Sequence, residues 1–352
     1  MASAPPVDIV LTTSGPVPYL EEALKSALAQ TYQDATITVV DNSPESGGAR
    51  GIVARYESDP RLRYLATGGL SQTENWNVAF RSGSAPYIGM LHDDDLWDPD
   101  FIERRVNALE AHPACAFVFS GYREIDGTGR ETAVRASRIE PGVHQPESFV
   151  PRQFEHNVVP VATVLYRRTA FDAVGGTFQG AGNIDLELFI RLGLQYPVLS
   201  LDVHDCSMRV HEGTVTTTAW VNSFKGQMRL DYLDYAERAI DATRPDLVPR
   251  QMRRRRRAAA TLTVAVDELQ AGRAANARRR LRDAVRLHPP IVLDPRVVLL
   301  AVLVLAGPRA ADVVAWARGV ERRWNIPIHP REVKRRADDL ILAMRSRRFR
   351  QR

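Results

Sequence analysis

Three consecutive carboxylates, Asp93, Asp94 and Asp95, follow the apolar run Tyr87–Leu91 (YIGML) and His92. Placing them together is costly, because each raises the pKa of its neighbours unless a cation compensates. Where a strand passes into a turn, alternate side chains point the same way, so Asp93 and Asp95 can face one ligand while Asp94 faces another. Hard oxygen donors of this kind suit Mg2+ or Mn2+, ions that in turn bridge phosphate oxygens. The plain alternative is a solvated acidic turn that caps the helix starting at Phe101. Asp41 ends the run TITVV, and Asp185 opens an apolar helical stretch. A helix dipole favours an acid in the second position whatever its task.

These acids need elements to hold them. Val7–Leu11 (VDIVL), Thr36–Val40 (TITVV), Leu62–Leu65, Tyr87–Leu91 and Ala116–Phe119 read as short buried strands. Between them, Tyr19–Gln30, Gly51–Ser58, Ser71–Ser82 and Phe101–Ala111 carry helical spacing of apolar residues. Strands alternating with helices imply a largely parallel sheet covered on both faces. Ligands of such sheets sit beyond the carboxyl ends of the strands, where both Asp41 and the Asp93–Asp95 cluster fall. Residues 127–160 lack periodicity and are expected to form a long excursion over the site, with a short strand or two. Val161–Tyr166 and Val198–Val203 read as further strands, and Asp185–Leu194 as a helix.

After about Val221 the pattern is helical only. Ala258–Ala271 and Asn276–Leu287 suggest a helical hairpin broken at Gly272. Val297–Gly307 is almost wholly apolar but far too short for a membrane span, which takes about 20 residues; a buried helix is expected there. The expected domains are therefore 1–222, an α/β unit, and 223–352, a helical one. Their charges are opposite. Residues 223–352 hold 30 Lys+Arg and 14 Asp+Glu, a net of +16, whereas residues 1–222 hold 17 and 28, a net of −11.

The chain has 352 residues, 44% of them hydrophobic and 25% charged, which supports a sizeable core and excludes disorder as the main state. Its two cysteines, Cys115 and Cys206, have no metal-binding spacing, so neither a disulfide scaffold nor a zinc module is expected. MASAPPVDIVLTT has no basic start and no long apolar stretch, which argues against a signal peptide and for a cytoplasmic protein.

Two runs, PVDIVLTTSG-(3)-YLEEALKSALAQTYQDATITVVDNSPES and GGLSQTENWNVAFRSGSAPYIGMLHDDDLWDP, closely resemble the family-2 glycosyltransferases. The resemblance covers roughly the first 110 residues nearly continuously and resumes at VLYRRTAFDAVGG and NIDLELFIRL. It implies a GT-A fold, a Rossmann-like three-layer α/β/α mixed sheet followed here by an all-α region. It also implies an inverting, nucleotide-sugar-dependent transferase with Mn2+ or Mg2+ as cofactor. Carried over, Thr13 and Asp41 contact the nucleotide, Asp41 reading the base, and Arg63 could touch the base or a phosphate. Asn77 falls in the sugar-nucleotide region, and Asp93 holds the ribose or sugar side. Asp94 or Asp95 binds the metal, with Asp95 preferred, and Asp93 stands beside it. His211, in RVHEGTVT, can reach the metal or the diphosphate. Asp185 matches the general base, with Ile184 where the family often carries Glu. The family's "PTYN" turn is Thr12-Thr13-Ser14-Gly15 here, its "VVDDGS" is Asp41-Asn42-Ser43-Pro44, and its usual Arg before Asn77 is Trp76.

The chemistry agrees. A divalent cation neutralises the charge of a departing nucleoside diphosphate. A carboxylate removes the proton of the attacking hydroxyl. One direct displacement inverts the anomeric centre. Two other readings compete. A nucleotidyltransferase would want a Gly-rich basic loop after the first strand, where this chain has TTSGPVP. A nucleotide- or nucleic-acid-binding protein without transferase activity could use Arg253–Arg257 and Arg345–Arg350, yet few aromatics accompany them and no nucleic-acid module is present. The same basic half could instead meet an anionic membrane surface at the inner face, where each basic residue contributes about 1 kcal/mol.

Overall fold

The computed structural model describes residues 4–15, 18–43, 49–178, 184–211 and 225–293. The apolar stretch at 297–307 and the basic run at 345–350 lie outside the described residues. Those that are described fall into two compact units. One takes the chain up to His211 together with Asp231–Pro249, and the other takes 225–230 and the residues from Arg250 onward.

An eight-stranded sheet forms the first unit, in the order β3-β2-β1-β4-β10-β6-β11-β9. Its centre is β1 (Val7–Thr13), buried along its whole length, with its one acid, Asp8, paired to Arg168. Parallel neighbours flank it: β2 (Ala35–Asp41) and β4 (Tyr87–His92), with β3 (Leu62–Ala66) beyond β2. Register then does the positioning. Thr13 lies opposite Asp41, and Thr12 opposite His92, so the carboxyl ends of three strands finish level.

The sheet is mixed rather than largely parallel. β10 (Leu165–Arg167) runs antiparallel between β4 and β6 (Phe117–Ser120), and β9 (Gly142–His144) runs antiparallel to β11 (Val198–Leu201). The strand expected at Val161–Tyr166 is a 3-10 turn over Val161–Thr163 followed by β10. There the Ala162 carbonyl accepts the Trp97 indole N–H, and the Thr163 hydroxyl bonds the Pro160 carbonyl, so the backbone serves side chains instead of a ladder. The excursion over 127–160 holds β8 (Glu131–Arg135), β9 and a helix, α5 (Pro146–His156). Pro at its first position and Asn157 in the left-handed region at its end bound α5.

A second sheet, β5-β12-β7-β8, joins β5 (Leu96–Trp97), β12 (Cys206–Arg209) and β7 (Tyr122–Ile125). It ties the acidic turn to the last strand, through Trp97 opposite Cys206 and Leu96 opposite Ser207. Helices α1 (Leu20–Leu28), α2 (Ala49–Val53), α3 (Gln72–Arg81), α4 (Phe101–Ala111), α6 (Arg168–Ala173) and α7 (Ile184–Gln195) complete the unit. Ser71 and Glu74 close a capping box on α3, satisfying two otherwise unpaired N–H groups.

The anchor of this second sheet is Arg105 on α4, whose side chain is fully buried. It grips Asp205 with two bonds of 2.9 Å and donates to the carbonyls of Thr163 and Phe101 and to the Ser120 hydroxyl. Its guanidinium also lies 3.4 Å over the Phe101 ring. Arg alone supplies enough donors in one plane for this set.

Past the first unit's strands, α8 (Lys225–Thr243) enters both units. Tyr232, Leu233, Ala236 and Ile240 are buried, and Arg244 pairs with Glu147 of α5. In the second unit, α9 (Arg250–Gln270) and α10 (Ala274–Leu287) form the hairpin, turning at Gly272 with φ of +77°. No helix of the described residues is long and apolar enough to cross a membrane.

Arg105→Ala takes from the buried Asp205 its two-bonded partner and leaves it only the exposed Arg104, 3.5 Å away. Its unfolding free energy in urea should fall by about 3–5 kcal/mol. An unchanged unfolding midpoint would contradict the anchoring role.

Candidate active site

The level strand ends bring Thr13 and the acidic turn into contact. The Thr13 hydroxyl donates to Asp93 Oδ2 at 2.6 Å. Asp41 is buried; Tyr64 donates to its Oδ2 at 2.7 Å and the Ser43 N–H to its Oδ1 at 3.0 Å. Burial and the Asp41 charge push the Tyr64 phenol up to about 12, so it stays a donor. Tyr64 is a residue the sequence reading missed. Arg63 is its neighbour on β3, exposed on the opposite face, and the structure does not bring it to Asp41.

The three adjacent acids have three different environments. Asp95 is 4% exposed. Its Oδ1 accepts the Arg209 backbone N–H at 3.0 Å, and its Oδ2 lies 3.4 Å from His92 Nδ1. Both oxygens of Asp95, the metal ligand that the sequence favours, are thus engaged by the protein. Asp93 faces Thr13. Asp94 faces His211, with 3.2 Å between Oδ2 and Nε2. Burial raises the carboxyl groups of Asp93 and Asp94, and each is raised further by a neighbouring acid.

Cations gather around them. His92 is opposed by burial, yet its bond to Asp95 and the charges of Asp94 and Asp93 hold it at about 9. Its ring stacks on Trp76 at 5.6 Å, in the place where the family usually has Arg. Arg209 spends its guanidinium on the Asp94 and Asp126 carbonyls and on Glu22, lying 4.2 Å over the Tyr19 ring. The same Tyr19 ring meets His211 edge-on at 4.9 Å. Arg209 therefore fixes the backbone of the acidic turn and the platform of His211 without neutralising Asp94. Only its closeness to His211 in RVH marked it in the sequence.

Asp185 opens α7 and is half-buried. Burial raises its carboxyl above the usual range; its own N–H, the His92 charge and the Leu186 N–H pull the other way. The field of His92 links it to the acidic turn. Glu187, two residues on, pairs with Arg191 and does not compete for this place. Asn77 has another task. Its amide donates to the Phe178 carbonyl at 3.1 Å and accepts the Phe178 N–H at 2.7 Å, which fastens the segment leading towards α7.

Asp94 and His211 are a carboxylate and an imidazole that face each other at 3.2 Å. Such a pair fits a divalent cation, and an imidazole ligand suits Mn2+ better than Mg2+, which prefers oxygen alone. Among the described residues, no group of three or more His, Cys, Asp or Glu is placed to hold a metal ion, so the protein would supply two ligands here. An ion held here would keep open positions for other ligands.

Comparison with known proteins bears on the family and the fold. Residues 8–175 match the model of glycosyl transferase family 2. An uncharacterized glycosyltransferase of Rickettsia bellii is 30% identical over 128 residues, which are 36% of this chain and 18% of that protein. The chain spans about a fifth of the length of the first curated relatives it matches. Among solved structures, Staphylococcus aureus TarS 1–349 in complex with UDP-GlcNAc has a TM-score of 0.59 at 14% identity, covering 87% of this chain and 88% of that one. The mannosyltransferase PcManGT of Pyrobaculum calidifontis, in complex with GDP-Man and Mn2+, has a TM-score of 0.56 at 16% identity, covering 98% and 87%. The first unit thus has the GT-A architecture, and residues 8–175 belong to glycosyl transferase family 2.

If Asp94 and His211 are the ligands, Asp94→Asn and His211→Ala should each weaken Mn2+ binding at least about tenfold, read by Mn2+ paramagnetic resonance with UDP or GDP present. Asp95→Asn keeps an acceptor for the Arg209 N–H and should weaken it far less. The reverse order would return the metal to Asp95.

Proposed function

We propose that this family-2 domain moves a sugar from a nucleoside-diphosphate donor to an acceptor hydroxyl, in one displacement with inversion. The observation that carries the proposal is the Asp94–His211 pair, with Asp94 at the same strand-end rim as Thr13 and Asp41. The solved neighbours support it, since TarS is bound to UDP-GlcNAc and PcManGT to GDP-Man with Mn2+.

Each residue then has a part. Thr13 and Asp41 border the nucleotide, and the Tyr64 bond keeps the Asp41 carboxylate in one orientation. Asp93, fixed by Thr13, lies next to the sugar. Asp94 and His211 would hold a divalent cation, which when bound neutralises charge on the diphosphate. Asp185 takes the proton of the acceptor hydroxyl as its oxygen attacks the anomeric carbon. Its raised pKa suits that task, because a base nearer neutrality drives proton transfer better. Inversion follows from attack opposite the leaving group.

The basic helical unit has a separate proposed part, in reversible attachment to an anionic membrane surface. Exposed Arg279, Arg282 and Arg286 lie along one face of α10. Co-sedimentation with anionic vesicles that high salt abolishes is the expected result. Equal absence from anionic and neutral vesicles at low salt would exclude it.

Binding is tested first, by thermal shift with a panel of nucleoside diphosphates and their sugars. At least one member should stabilise the chain with Mn2+ and lose its effect in EDTA; undiminished stabilisation in EDTA would exclude the metal. With the donor so found, Asp185→Asn should cut transfer by about 100-fold or more while donor binding stays near normal. Most of the turnover surviving would place the base elsewhere.

A further inference from the structure

Tyr166, on β10, is fully buried, and its hydroxyl has no hydrogen-bond partner among the described residues. Aromatic rings cage it, with Phe80 at 5.5 Å, Phe117 at 6.1 Å and Phe189 at 6.2 Å between centroids. A hydroxyl removed from water without a partner is destabilising. Phe would fill the same cage better, unless the oxygen has a use.

The geometry of α7 suggests that use. The Tyr166 ring stacks on Phe189 with only 6° between their planes. Phe189 follows Asp185 by four residues, so the two share a face of the helix, and helical side chains lean towards its N-terminus. Tyr166 therefore lies under the face that carries Asp185. The Asp185 charge reaches the phenol, adding to the effect of burial in keeping its proton in place. Among the described residues, the charge felt by Asp185 is that of His92, at the end of β4; Glu187 of its own helix is paired with Arg191.

We propose that Tyr166 is a positioning residue for Asp185, its hydroxyl donating a hydrogen bond to the Asp185 carboxylate when that group is charged. One carboxylate oxygen is then held, and the other is left to take the acceptor proton. Tyr166 keeps its own proton throughout and touches no substrate. The inference rests on the reading of Asp185 as the general base. A bond to the charged form favours that form, so the phenol offsets part of what burial does to the carboxyl.

The test uses the full chain labelled with [13C]carboxyl aspartate, without any substrate. The resonance missing from Asp185→Asn identifies Asp185, and its titration is followed in the wild type and in Tyr166→Phe. The expected result is a midpoint about one unit higher in Tyr166→Phe, a tenfold weaker acid. Thermal unfolding checks the same bond, because Tyr166→Phe should lower Tm above the wild-type midpoint and not below it. An unmoved midpoint, or a variant equally stabilised at every pH, overturns the proposal. Since the resonance reports on the carboxyl alone, this outcome is separate from whether Asp185 is the base, which turnover of Asp185→Asn decides.

Discussion

Concentrating carboxylates at one end of a sheet is the constraint on which this structure turns. Asp93, Asp94 and Asp95 repel one another, and burial raises the cost of each charge. The fold lowers that cost unevenly. Asp95 is absorbed by His92 and the Arg209 N–H, Asp93 by Thr13, and Asp94 by the His211 imidazole, with the His92 charge acting on Asp93 and Asp94 too. Arg209 supplies a positive charge yet directs it to carbonyls and Glu22. On the proposed function, the surplus negative charge is left on Asp94, where a cation would complete it.

That distribution depends on contacts far along the chain. Arg105 and Asp205 lock α4 to the entry of β12, and β12 then pairs with β5 directly after the acidic turn. The strand so placed delivers Arg209 beneath the turn and His211 beside Asp94. The ring of Tyr19, at the start of α1, sits between the two side chains and holds both. The buried ion pair is worth little by itself against an apolar substitute. Its value lies in fixing one register for a four-residue strand whose sequence, CSMR, specifies little.

This explains what could be read in advance. VDIVL, TITVV and YIGML announce buried strands because branched and apolar side chains leave no polar face, and parallel order then places Asp41 and Asp93–Asp95 at one rim. Helix α7 and the hairpin at Gly272 follow from spacing alone. Which of three adjacent acids faces outward could not be read. It is decided by Arg209, 114 residues from Asp95, and by His92, whose partner is set by the turn. Asn77 looked available for a ligand, but its partner Phe178 is 101 residues away. Tyr64 reaches Asp41 because β3 pairs with β2 in a register that spacing does not reveal. Helix α5 was hidden by its prolines and polar residues, though Pro at its first position is a usual helix start.

The central claim is that the acidic turn holds its surplus charge on Asp94 so that a cation can join it to a nucleotide. The most direct measurement is anomalous diffraction, at the manganese edge, from crystals grown with Mn2+ and a nucleoside diphosphate that stabilises the chain. The account predicts one strong peak within bonding distance of Asp94 and His211, with the diphosphate completing its shell and Asp95 still bound to the Arg209 N–H. A peak coordinated by Asp95, or a diphosphate bound on the same rim with no metal beside it, would contradict the account.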